Sequence, residues 1–131
     1  MRIVYTAGVF DLLHEGHINA LKASRAQGNR LVVGVVSDEG AMAYKRKPIQ
    51  DERTRLLVVQ SLYFVTLAVI QPTTDPTPVL EVIRPQVMTH GDDWQRLIKG
   101  QATLERLGIE WVLVPYTHGV STTQTIRRME G

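Results

Sequence analysis

The stretch Arg2–Val36, RIVYTAGVFDLLHEGHINALKASRAQGNRLVVGVV, decides the fold. Its opening, Arg2 to Thr6, is a short apolar run and reads as a strand. His17 to Gln27 carries Ile18, Ala20 and Leu21 on one side of a helical wheel, and Gly28 follows as a stop. Leu31 to Val36 is a continuous run of aliphatic residues around one glycine, the pattern of a strand buried on both faces. Strand, helix and doubly buried strand in sequence describe a parallel pair joined by a crossover helix.

The rest of the chain repeats that alternation. Asp51 is placed to cap a helix that runs to about Tyr63, and Leu67–Ile70 reads as a strand. The polar stretch Gln71–Pro76 is the longest loop signal. Thr77-Pro78 then reads as an N-cap with a first-turn proline, and Pro85 ends that helix. Val87–Thr89 is a further strand, Gln95–Leu107 a helix closed by Gly108, and Trp111–Val114 a fifth strand. Ser121-Thr122-Thr123-Gln124 matches a capping box at the head of a last helix. The expectation is one α/β domain over residues 1–131, a doubly wound parallel five-stranded sheet with helices on both faces. Ligands in such folds sit at the carboxyl ends of the strands, which directs attention to residues 7–17, 37–48, 90–94 and 115–123.

Composition narrows the functional classes. The 131 residues hold 44% hydrophobic and 21% charged side chains, ordinary globular usage, so a disordered or low-complexity chain is excluded. There is no cysteine, which excludes disulfides, thiolate nucleophiles and cysteine-based zinc sites. A net charge of +2, with basic residues scattered apart from Lys45-Arg46-Lys47, does not argue for nucleic acid. The most apolar stretch, Leu56 to Ile70, is interrupted by Gln60, Ser61 and Thr66 and falls short of the ~20 residues a membrane helix needs. A soluble cytoplasmic protein with no membrane partner is expected.

The chemistry concentrates after the first strand, in Ala7–His17, AGVFDLLHEGH. Two imidazoles three residues apart at a helix start suit an anion, because backbone N–H groups and the helix dipole point the same way. The alternatives are histidines that serve only as structural hydrogen-bonders, and a metal site built from Asp11, His14 and His17. Lys45, Arg46 and Lys47 could bind phosphate or form a solvated basic turn. Arg55 could reach a phosphate or pair with Asp51 or Glu52 on its own helix. Asp93 could read a base edge or cap the helix that follows.

His14-Glu15-Gly16-His17 resembles the HxGH signature of the nucleotidyltransferase superfamily, and Gly8–His14 is similar to its cytidylyltransferase branch. Lys45–Ile49 with Glu52 and Arg55, then Gly91-Asp92-Asp93-Trp94, then Gly119–Thr123, resemble segments of the glycerol-3-phosphate cytidylyltransferases in order and spacing. The resemblance implies a Rossmann-like fold and a reaction in which an acceptor phosphate or phosphonate oxygen attacks the α-phosphorus of CTP and pyrophosphate leaves. It implies that His14 and His17 hydrogen-bond the triphosphate, that backbone near Val9 and Phe10 cradles it, and that Lys45, Arg46 and Arg55 supply charge. Gly91, Asp92, Asp93 and Trp94 would read the base, and Ser121, Thr122 and Thr123 would hold the outer phosphates. Magnesium is the implied cofactor, with Asp11 able to hold it directly or through water, and a homodimer is the implied assembly. Two departures stand out: Tyr116-Thr117-His118 replaces the family's Arg-Thr-Glu, and Thr66 replaces an acidic residue after Val65. They leave the acceptor open between a small phosphorylated alcohol such as glycerol 3-phosphate and a phosphonate. An ATP-using adenylyltransferase of the heptose-phosphate or flavin type and a non-catalytic nucleotide sensor are the alternatives.

Overall fold

A computed structural model describes residues 1–91 and 99–115. Five parallel strands, β1 (Ile3–Gly8), β2 (Arg30–Val36), β3 (Leu67–Gln71), β4 (Val87–Gly91) and β5 (Glu110–Val114), form one sheet in the order β3-β2-β1-β4-β5. Helices α1 (Glu15–Arg25), α2 (Asp38–Met42), α3 (Glu52–Gln60), α4 (Thr77–Ile83) and α5 (Gln101–Leu107) lie between them. The chain steps outward from β1 through β2 to β3, then returns to the far side of β1 for β4. That reversal opens a crevice at the carboxyl ends of β1 and β4.

The inner strands β1, β2 and β4 are covered on both faces because successive side chains alternate. Val4, Leu31, Val33 and Val87 join Leu21 of α1 and Val59 of α3 in one core. Tyr5, Val32 and Met88 join Leu80 of α4 and Leu104 of α5 in the other. This is the expected doubly wound α/β sheet. The glycine inside β2 has a packing reason. The Tyr5 hydroxyl donates to Gln71 Oε1 at 2.6 Å, and a Cβ on Gly34 would lie 1.8 Å from that hydroxyl oxygen.

Several local expectations are corrected. Helix α1 starts at Glu15, two residues before His17, because the His14 imidazole acts as the N-cap acceptor. Helix α2 was not expected; Ser37 Oγ caps it by accepting the Gly40 N–H. Helix α3 stops at Gln60 rather than Tyr63, because the chain must turn for Thr66 to pair with Leu31 beside β3. Pro76, not Thr77, occupies the cap of α4, since the Thr77 hydroxyl bonds Thr103 of α5 instead. Helix α5 begins only at Gln101, because Gly100 has φ +83° and interrupts any helix running through it. The capping box at Ser121 lies outside the described residues. Among the described residues, no helix is long and apolar enough to cross a membrane.

Candidate functional site

A pocket opens at the crevice above β1 and β4. Gly8, Val9, Phe10 and Asp11 line it from the β1–α1 loop, His17 from α1, Tyr44, Lys45, Arg46 and Pro48 from the segment after α2, and His90 and Gly91 from β4. Of the segments read as phosphate-binding in the sequence, Val9 and Phe10, His17, and Lys45 and Arg46 therefore meet in one place, although 28 residues separate His17 from Lys45.

The two histidines are locked by the backbone. The Gly16 N–H donates to His14 Nδ1 and the His14 N–H donates to His17 Nδ1, each at 3.1 Å. This is a capping box made of imidazoles rather than of a hydroxyl and a carboxylate. A ring nitrogen that accepts carries no proton, so in each neutral ring the proton sits on Nε2. The rings stack with centroids 3.9 Å apart, and Phe10 meets the edge of His17 at 5.7 Å. His14 Nε2 is buried and has no partner among the described residues. Burial, and then the neighbouring His14 and Lys45, hold the His17 pKa down to about 3 against the opposing pull of Asp11. Burial also lowers that of His14. Both are neutral hydrogen-bond donors at physiological pH.

This has a consequence for stability. The folded pKa of His17 lies below its ordinary 6.5, so its contribution is fully present above pH 6.5 and is lost as pH falls toward 3. The thermal midpoint is expected to drop across that window. His17→Asn, whose Oδ1 can accept the same His14 N–H, is expected to show a shallower drop. Parallel pH profiles for the two proteins would assign the acid sensitivity to another group.

Arg55 lies behind the pocket wall and is fully buried. Its Nε donates to Gln50 O, its Nη1 to Val9 O and Val36 O, and its Nη2 to Asp38 Oδ1 at 2.6 Å. The alternative pairing with Asp51 or Glu52 is replaced by one with Asp38. Asp51 caps α3 through the Thr54 N–H, and Glu52 accepts the Asp38 N–H. Burial of a charge is tolerable here because each bond is charge-assisted and the ion partner is close. Through Val9 the guanidinium holds the loop that lines the pocket.

Of the basic trio, Lys45 and Arg46 line the pocket and Lys47 does not. Asp11 is 3% exposed and receives the Ile49 and Gln50 N–H groups and the Arg46 guanidinium. Among the described residues no group of three His, Asp or Glu side chains is placed to hold a metal ion, so Asp11, His14 and His17 do not form such a set. Asp92, Asp93, Trp94, Ser121, Thr122 and Thr123 lie outside the described residues.

Sequence reasoning missed His90, Tyr44, Gln50 and Asp38. His90 follows the expected strand and precedes Gly91, so its place at a strand's carboxyl end was a usable signal. Asp38 and Tyr44 fall in the 37–48 stretch after a strand and carried the same positional signal, whereas Gln50 carries none, because its role depends on contacts across the fold.

The cytidylyltransferase-like family model matches residues 5–128. This chain belongs to the cytidylyltransferase-like family. Among its relatives, the bifunctional protein HldE of Nitrobacter hamburgensis is 40% identical over all of this chain. That of a Bradyrhizobium species is 38% identical over 98% of it. The chain spans only 27% of the length of either relative. A solved lipopolysaccharide core biosynthesis protein from Thermoplasma volcanium is 33% identical. It superposes with a TM-score of 0.81, covering 89% of this chain and 98% of that one. The family match covers all the pocket segments described above, from Gly8 to Gly91.

Proposed function

We propose that this chain transfers a nucleotidyl group from a nucleoside triphosphate to a phosphorylated sugar, with ATP as the donor and a heptose-type phosphate as the acceptor. The observation that carries the transfer reading is the pair of backbone-locked imidazoles at the head of α1, with His17 in the wall of a pocket that also holds Lys45 and Arg46 and His14 stacked against it. Likeness to the HldE proteins and to a lipopolysaccharide core biosynthesis protein supports ATP and a sugar phosphate over CTP and glycerol 3-phosphate. The cytosine expectation rested on Asp92, Asp93 and Trp94, which lie outside the described residues.

In this reading an oxygen of the acceptor phosphate attacks the α-phosphorus. A new P–O bond forms, the bond to the β-phosphate breaks, and pyrophosphate carries away the electron pair. No covalent enzyme intermediate is involved, so the protein contributes positioning and charge stabilisation. The Nε2–H groups of His14 and His17 donate to oxygens whose charge grows as the bond forms. Being neutral, they do so without the cost of holding two buried cations side by side. Lys45 and Arg46 supply the positive charge, and Arg55 positions Val9. The triphosphate would bring magnesium with it, and the ion would offset part of its charge.

A pyrophosphate-release screen of ATP, CTP, GTP and UTP against sugar phosphates and glycerol 3-phosphate tests this. Release with ATP and a sugar phosphate, stopped by excess chelator, is the expected result. Release with CTP and glycerol 3-phosphate would restore the cytidylyl reading. Nucleotide binding without release from any pair would leave a sensor.

A further inference from the structure

Among the described residues Asp11 is the buried carboxylate that lines the pocket, and its surroundings do not suit the cation it was expected to hold. Asp11 sits between two residues in the left-handed region, Phe10 at φ 54° and Leu12 at φ 51°. Neither is glycine, and such conformations persist only where their surroundings impose them. Here they are imposed from the segment after α2. Asp11 Oδ1 accepts the Gln50 N–H at 3.0 Å, while Oδ2 accepts the Ile49 N–H at 2.8 Å and Arg46 Nη1 at 3.1 Å. Leu12 N–H donates back to Gln50 Oε1 at 3.0 Å. Four bonds thus tie residues 11–12 to residues 46–50.

The donors that converge on Asp11 make its surroundings positive. Two backbone N–H dipoles and a guanidinium face the two oxygens, and the bonds to those three groups hold the carboxyl below the usual carboxylate range against the opposing effect of burial. A magnesium ion needs carboxylate lone pairs and room for its own waters. At Asp11 three of the roughly four lone-pair sites already point at donors, and the residue is almost fully buried. Arg46 has five N–H groups, and both of its bonds among the described residues run through Nη1.

We propose that Asp11 is a positioning residue and not a cation ligand. It fixes the 46–50 segment against the strained loop and so sets where Arg46 stands at the pocket mouth, ready to meet substrate phosphate. This rests on reading the pocket as a triphosphate site.

The test uses calorimetric titration of tripolyphosphate into the wild type, Asp11→Asn, Arg46→Gln and the double variant, each with and without magnesium. Each single change is expected to weaken binding about tenfold, the scale of one hydrogen bond to a charged group. The double variant is expected to bind no worse than Arg46→Gln, and the gain from magnesium to be the same in Asp11→Asn as in the wild type. Multiplied losses would overturn the coupling, and a loss confined to magnesium-containing titrations would make Asp11 a cation ligand. Either result leaves the triphosphate reading intact. No binding by the wild type would remove that reading and this inference with it. Should Asp11→Asn fail to fold, the Ile49 and Gln50 amide resonances of the wild type decide. They are expected to stay in place when magnesium chloride alone is added at millimolar concentration, and their displacement would overturn the proposal.

Discussion

His17→Ala is expected to lower pyrophosphate release by about 10²–10³-fold, the usual loss when one preorganised donor to a developing oxyanion is removed. The helix should survive, since His14 still caps it through the Gly16 N–H. The same loss is expected in His17→Asn, which can retain the bond to the His14 N–H but places no N–H where Nε2 stood. Comparing the two variants separates the cap from the chemistry. A folded His17→Asn with wild-type turnover would show that only the Nδ1 contact matters and would remove the Nε2–H from the mechanism. Steady-state kinetics with saturating nucleotide, alongside a thermal melt of each variant, gives the answer.

Arg55→Met is expected to destabilise the fold by roughly 3–5 kcal/mol, the cost of removing one partner from a buried ion pair. The change strands the carbonyls of Val9, Val36 and Gln50 and leaves Asp38 without its cation. That is a large part of the ~5–15 kcal/mol by which domains are stable, so partial unfolding is the expected phenotype. Arg55→Lys should rescue little, because one ammonium cannot reproduce a planar fork that serves carbonyls on three segments and a carboxylate. Urea unfolding midpoints measure both. If Arg55→Met unfolds at the wild-type midpoint yet loses nucleotide binding, the guanidinium acts on phosphate directly, as its place in the family pattern first suggested.

Much of this was legible along the chain because its causes are local. The β-branched run in Leu31–Val36 can only be a strand covered on both sides, and the stops at Gly28, Pro85 and Gly108 act within a turn of the residues they end. Once strands and helices alternate, a parallel sheet and a crevice at its carboxyl end follow, and the residues after the strands become the site. So His17, Lys45, Arg46 and Gly91, which line the pocket, could be named without coordinates.

What only the tertiary structure decided is the state and partner of each polar group. The spacing of His14 and His17 says nothing of tautomer, which depends on two backbone N–H groups aimed at Nδ1. A helix arginine after Asp51 and Glu52 reads as a surface charge, yet Arg55 is buried against carbonyls that two strand ends and a loop bring to it. Asp11 reads as a metal ligand from its neighbours in sequence, while its bonds come from residues 35 to 39 positions away. Periodicity and caps report interactions within a few residues. Charge, burial and protonation are set by groups distant in sequence, and those meet only when the sheet has formed.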